Sequence, residues 1–214
     1  MNDASILLSR VLFNTPITGV IVEPRHPSEF IVNFRDVGET LERLSGEALF
    51  PAGMLYRGGR FTDARAHEEL LEIPTILCLR PQKNARDFDA LYLRAPMTDS
   101  GATYDTTQKS TRAWLVKALK QITRAEVETP IYVHCTSGKD RTGVLVAALL
   151  LVFGIEREWI IAEYLESDGD VDAHRIKQGI EGMGDIERYL RKVDLDVLRA
   201  KFTPDVESGE ERIN

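Results

Sequence analysis

The chain has 214 residues, of which 43% are hydrophobic and 29% charged, and a formal net charge of −7. That length holds one domain with a real core plus extensions, and the composition is that of an ordinary soluble globular chain. The acidic balance argues against nucleic acid and against an anionic membrane as non-specific partners, so any anion site must carry its positive charge locally.

Residues 1–17 read as an arm or short helix ahead of a domain over 18–202, with 203–214 as a frayed tail. The first residues have no basic segment and no long apolar run, so no signal peptide is read. Residues 18–23 alternate weakly and read as a strand, and the two prolines of Glu23-Pro24-Arg25-His26-Pro27 make a turn. Phe30-Ile31-Val32-Asn33-Phe34 reads as a further strand, leading through Arg35-Asp36-Val37-Gly38 into a short helix over 39–44. Residues 54–57 are strand-like. Thr62-Asp63 looks like a helix start, and Pro74 ends that helix. Residues 75–79 read as a buried strand, 87–90 as a short helix, 91–95 as a strand and 97–108 as a polar loop. A helix over about 111–127 carries Trp114, Leu115, Ala118, Leu119 and Ile122 on one face.

Residues 130–133 read as a buried strand and 144–153 as a buried helix, too short to span a bilayer. Helices follow over 156–167, 172–180 and 185–192. Early strands, late helices and two strand–loop–helix passages predict an α/β fold with a mostly parallel central sheet flanked by helices. Ligands of such sheets bind beyond the carboxyl ends of the strands. Two cysteines, Cys78 and Cys135, make no disulfide framework. With no integral membrane segment read, the expected location is cytoplasmic, and export without a cleaved signal stays open.

The stretch His134-Cys135-Thr136-Ser137-Gly138-Lys139-Asp140-Arg141-Thr142-Gly143 joins the buried strand to the buried helix. A helix N-terminus presents unpaired N–H groups and the positive end of its dipole, and a tight loop before it forms a nest for an oxyanion. Gly138 lets the backbone approach a ligand closely. Thr142 carries a hydroxyl that could serve the Cys135 sulfur. Lys139, Asp140 and Arg141 are consecutive charges entering an apolar helix, which is costly unless they have partners. Nucleophile, anion hole and guanidinium thus fall within one short stretch; the alternative is a buried structural cysteine beside a surface turn.

This stretch resembles the phosphate-binding loop of the cysteine-dependent protein tyrosine phosphatase superfamily. Its Gly-Lys-Asp-Arg-Thr version resembles the bacterial and fungal tyrosine phosphatase-like group, whose members act on phosphotyrosine and phosphoinositides. Asn33-Phe34-Arg35-Asp36-Val37-Gly38, Leu55-Tyr56-Arg57-Gly58-Gly59 and Glu163-Tyr164-Leu165-Glu166-Ser167 are similar to the group's flanking motifs. The chain departs from the pattern at Glu39, Gly58 and Cys78, where the group has glycine, serine and aspartate.

The resemblance implies a phosphatase that cleaves phosphate monoesters through a phosphocysteine on Cys135, with Arg141 gripping the phosphoryl oxygens and Thr136, Ser137, Gly138, Lys139 and Thr142 completing the phosphate site. No metal or other cofactor is expected. The four histidines, His26, His67, His134 and His174, form no ligand cluster, and His134 is expected to brace the loop through the backbone. Asp99, in the loop after a strand, and Asp140 both stand as general acid, with Asp140 favoured; Asp140 is alternatively a loop-stabilising partner of Arg57 or Arg80. Lys139 is either a selector for phosphoinositides or a solvated lysine. Cys78 is either a partner for a protective disulfide with Cys135 or a buried structural cysteine. The expected substrates are phosphotyrosine and, with dual specificity, phosphoserine and phosphothreonine. Phosphoinositides or inositol phosphates are the alternative, and a phospho-binding module without turnover is a third reading.

Overall fold

The structure, a computed structural model, describes residues 25–61, 68–82, 89–98 and 102–203. The expected arm, the strand over 18–23, the helix start at Thr62, the start of the short helix at Asp87, the candidate acid Asp99 and the tail beyond 203 lie outside the described residues.

The five strands are β1 (Arg35–Asp36), β2 (Leu55–Gly58), β3 (Thr75–Cys78), β4 (Leu91–Arg94) and β5 (Ile131–His134), in the spatial order β1-β2-β5-β3-β4. Only β1 runs antiparallel, against β2; all other pairings are parallel. β5 therefore sits in the centre, with Ile131 paired to both Leu55 and Thr75. A parallel strand covered on both faces is a near-continuous apolar run, and every residue of β3 and β5 is buried, the polar Thr75 and His134 included.

The helices are α1 (Val37–Ser45), α2 (Lys109–Ile122), α3 (Asp140–Val152), α4 (Arg157–Leu165), α5 (Ala173–Met183), α6 (Ile186–Tyr189) and α7 (Leu195–Lys201). Alternation along the strands sends Leu55, Leu77, Leu93, Ile131 and Val133 into the large core built with these helices. The opposite face buries Ile76 and Tyr132 under Ile31, Phe34, Phe61, Leu70 and Ile73. α3 is apolar on every side, as expected of a helix enclosed by others. Among the described residues no helix is long and apolar enough to cross a membrane.

Four sequence expectations change. Residues 30–34 do not form a strand: a 3-10 turn, Pro27–Glu29, precedes them, and the chain then bends through Asn33 at φ +60°. Ile31 and Phe34 are apolar because they plug the second sheet face, with Phe34 stacked on Tyr56 at 5.5 Å between ring centroids. α3 runs over Asp140–Val152 where the apolar run by itself marked 144–153, and Asp140 and Arg141, read from sequence at the helix entry, form its first turn. Within 97–108 the chain makes a 3-10 turn, Ala102–Tyr104. Beyond the last expected helix lies α7, capped by the Asp194 side chain, which accepts from Val197 N; Phe202 after it is fully buried against Phe50 and Phe153.

Candidate active site

Cys135 follows β5 directly and is buried at the carboxyl end of the central strand. The next four residues turn the chain into α3. Their carbonyls are drawn away from the turn by three different parts of the fold. Arg60 N donates to Thr136 O at 3.1 Å, Asn33 Nδ2 to Ser137 O at 2.7 Å and an Arg57 terminal nitrogen to Gly138 O at 2.8 Å. With these three carbonyls held outward, the amide N–H groups of Ser137, Gly138 and Lys139, trans to them across the peptide planes, turn to the concave side. None of the N–H groups from Thr136 to Arg141 donates a hydrogen bond among the described residues, and the N-cap residue of α3, Lys139, provides no side-chain cap. Successive unmet N–H groups at a helix N-terminus form an anion cradle.

The turn demands glycine at Gly138. Its φ is +70°, and a Cβ there would lie 2.2 Å from the Gly58 carbonyl carbon. Gly58 is constrained by a side chain instead, since its Cβ would come within 2.8 Å of the Tyr132 hydroxyl, which donates to Gly59 O at 2.5 Å. The glycine that departs from the family pattern at this position thus accompanies a tyrosine on the neighbouring strand.

Behind the cradle stands a three-membered ionic group. Glu163 of α4 receives Arg57 at 2.5 Å through one carboxylate oxygen and Arg35 at 2.8 Å through the other. Arg35 also donates to Glu163 O and to Ser167 Oγ, at 2.8 and 3.1 Å. Asn33 closes the frame: its amide oxygen accepts from Asp168 N at 2.6 Å while its nitrogen holds Ser137 O. Burial, reinforced by the nearby Arg35, lowers the Arg57 pKa to about 10; Glu163 opposes the shift. Two guanidiniums sharing one carboxylate leave a net positive charge under the loop, which supplies the local charge an acidic chain needs for an anion site.

Arg141 lies on the first turn of α3. It donates to Met97 O at 3.0 Å, Leu79 O at 3.4 Å and Thr136 Oγ1 at 3.1 Å, and its Nε is buried without a partner among the described residues. The guanidinium is therefore fixed by the ends of other strands before any ligand arrives. Thr142 is fully buried, but its hydroxyl has no hydrogen-bond partner among the described residues. The sequence expectation that it serves Cys135 Sγ is corrected to an unpaired group.

His134 is fully buried, stacked on Tyr132 and edge-on to Phe61. Its Nδ1 lies 3.2 Å from Cys135 O, an acceptor, so Nδ1 carries the proton. Burial lowers its pKa to about 3, and the imidazole is neutral at physiological pH. Through this contact it braces the start of the loop.

Asp140 pairs with neither Arg57 nor Arg80, which corrects the alternative drawn from sequence. Arg57 belongs to Glu163, and Asp140 Oδ1 accepts the Tyr104 hydroxyl at 2.7 Å. Lys139 Nζ donates to Asp170 O at 2.8 Å, on the rim.

Cys78 is paired in the sheet register with His134, the residue directly before Cys135, and both cysteines are free and buried. Cys78 Sγ lies 3.9 Å from the Arg80 and Gln82 carbonyl oxygens.

Sequence reasoning missed the roles of Asn33, Arg35 and Glu163, although all three lay in the flanking motifs. It missed Tyr104 as the partner of Asp140 and Tyr164 as the partner of Tyr104, and Tyr104 carried no sequence signal. Among the described residues no group of three or more His, Cys, Asp or Glu is placed to hold a metal ion.

The chain is 35% identical over 81 residues, 38% of its length, to the triple specificity protein phosphatase PtpB of Mycobacterium tuberculosis; the match spans 28% of that protein. Among solved structures, the catalytic core of Siw14 is similar with a TM-score of 0.50 and 21% identity, over 67% of this chain and 90% of that one. P. aeruginosa TpbA gives a TM-score of 0.45 at 22% identity, over 69% of this chain and 85% of that one. The Siw14 likeness concerns the fold alone. Residues 26–203, which contain every described strand and helix, match the sequence model of the tyrosine phosphatase family. The chain belongs to the tyrosine phosphatase family.

Proposed function

We infer that this protein is a cysteine-dependent phosphatase that hydrolyses phosphate monoesters, phosphotyrosine among them. The observation that carries the reading is the row of unmet N–H groups from Thr136 to Arg141 around Cys135, with the Arg141 guanidinium fixed beside it. Family membership and the triple specificity phosphatase relative support it.

The N–H groups and Arg141 bind the phosphoryl oxygens, Arg through its planar donors. The Cys135 thiolate attacks phosphorus: an S–P bond forms as the ester P–O bond breaks, and the leaving oxygen takes a proton from an acid. Water then attacks the phosphocysteine. A new P–O bond forms, the S–P bond breaks, and the water's proton returns to the carboxylate. The donors are placed before the reaction, so charge stabilisation needs little reorganisation.

Asp140 is assigned as the acid. It opens α3, is only half-buried, and uses one carboxylate oxygen for Tyr104 while Oδ2 has no partner among the described residues. Asp99 is the competing candidate, tested by the same experiment.

A second reading, toward phosphoinositides or inositol phosphates, is favoured by Lys139. Its ammonium is tethered at the rim through one proton only, leaving two donors for a second phosphate.

A phosphate-release panel of phosphotyrosine peptide, phosphoserine peptide and phosphoinositide, run with wild type and Cys135→Ser, tests both readings. Turnover by wild type and none by Cys135→Ser is expected. Activity that survives in Cys135→Ser defeats the mechanism, and retained binding with no turnover on any ester makes the chain a phospho-binding module. Loss of activity on aryl esters in Asp99→Asn rather than in Asp140→Asn reassigns the acid.

A further inference from the structure

Three elements converge on the carboxylate at the start of α3. Tyr104, at the end of the 3-10 turn Ala102–Tyr104, donates its hydroxyl to Asp140 Oδ1 at 2.7 Å. Tyr164 of α4 lies with its hydroxyl 2.6 Å from that of Tyr104. A phenol has one proton. With the Tyr104 proton committed to the carboxylate, the Tyr164 proton is donated to Tyr104, so the chain runs one way, from Tyr164 to Tyr104 to Asp140. Both tyrosines are buried, and burial raises both pKa values, so both remain protonated donors through the working range.

The outer tyrosine is itself locked. Its ring packs on Gly143, where a Cβ would come within 2.7 Å of a ring carbon, and it follows Glu163, the residue that anchors Arg57 and Arg35. The same helix therefore sets both the carbonyl frame of the cradle and the orientation of the Asp140 carboxyl.

We propose that Tyr104, backed by Tyr164, is the positioning residue that fixes Asp140 for proton transfer to the leaving oxygen. The proposal rests on the phosphatase reading above. Holding Oδ1 by a hydroxyl donor leaves Oδ2 as the oxygen that carries the transferable proton, and the same donor stabilises the carboxylate formed when that proton leaves. Tyr104 does not touch the reacting atoms and acts only through Asp140.

The test is the dependence of kcat on the leaving group, because a general acid matters most when the departing oxygen is basic. Wild type, Tyr104→Phe, Asp140→Asn and the double variant are assayed on phenyl phosphate and on 2,4-dinitrophenyl phosphate. Losing a hydrogen bond to a charged group predicts a fall of roughly tenfold or more for Tyr104→Phe on phenyl phosphate. Little change is expected on the dinitrophenyl ester, and no further loss when Tyr104→Phe is added to Asp140→Asn. An equal loss on both esters, or the same loss in the Asp140→Asn background, overturns the proposal.

If Tyr104→Phe does not fold, Tyr164→Phe decides. It keeps the Tyr104–Asp140 contact, so a smaller steepening in the same direction is expected, and an unchanged leaving-group dependence overturns the proposal. Cys135→Ser in the same assay separates the two levels. Residual turnover there defeats the phosphatase mechanism itself. An inactive Cys135→Ser beside an inert Tyr104→Phe defeats only the positioning role.

Discussion

Replacing Glu163 by glutamine tests the frame behind the cradle. The wild-type carboxylate is buried, and so is Arg57, while the Arg35 side chain is 13% exposed. Glutamine keeps the shape and one acceptor oxygen but leaves two guanidiniums facing each other with no counter-charge. Removing one partner of a buried ion pair costs about 3–5 kcal/mol, chiefly because a charge is left buried and uncompensated. For a chain of this size each kcal/mol lowers Tm by about 2–4 °C, so a drop of roughly 6–20 °C is expected.

Turnover should fall more than stability alone explains. Arg57 is the donor that holds Gly138 O outward, and an unanchored Arg57 frees that carbonyl to turn toward the phosphate. The assay pairs thermal unfolding by circular dichroism with kcat/KM on an aryl phosphate, measured well below the variant's Tm. A double variant, Arg57→Met with Glu163→Met, removes both members of the tighter pair. It should recover much of the stability, since apolar replacement of a buried pair is often neutral, but not the turnover. Wild-type Tm and wild-type turnover in Glu163→Gln would refute the reasoning.

His134 makes stability depend on pH. Its folded pKa is about 3, against 6.5 for a solvated imidazole, because burial disfavours the cation. The unfolded chain therefore binds this proton below pH 6.5 while the folded protein refuses it until about pH 3. The stabilisation is fully present above pH 6.5 and is lost as pH falls toward 3, amounting to about 4–5 kcal/mol across that window. Urea unfolding between about pH 7 and pH 4 measures it, and His134→Asn should flatten the slope; an unchanged slope would place the lost stability elsewhere. At the glycine facing the cradle, Gly58→Ser should impair folding and turnover because its Cβ meets the Tyr132 hydroxyl at 2.8 Å. Adding Tyr132→Phe should restore part of both, and failure of that rescue would show that the backbone of Phe34, 3.1 Å away, sets the limit instead.

The strand–cysteine–loop–helix passage is legible in the sequence because its causes are local. A short apolar run, a glycine and a long apolar run are contiguous, and a helix start creates an anion site by itself. The parallel sheet is legible for a related reason, since short, mostly apolar runs such as β3 and β5 suit a sheet covered on both faces. Arg141 and the bracing role of His134 come from the same stretch.

What orients the loop is another matter. Asn33, Arg35, Arg57 and Glu163 reach it or one another across 81 to 128 residues of chain. No periodicity encodes which arginine meets which carboxylate. The Tyr104–Asp140 contact depends on where a 3-10 turn meets the first residue of α3. The sequence by itself pointed to Cys135 and Arg141 as candidate nucleophile and guanidinium and to the site's place in an α/β fold, because short-range sterics and the helix terminus suffice for those. The tertiary structure alone decided why the carbonyls face outward and the N–H groups inward. That outcome depends on three donors from distant segments meeting three successive carbonyl oxygens.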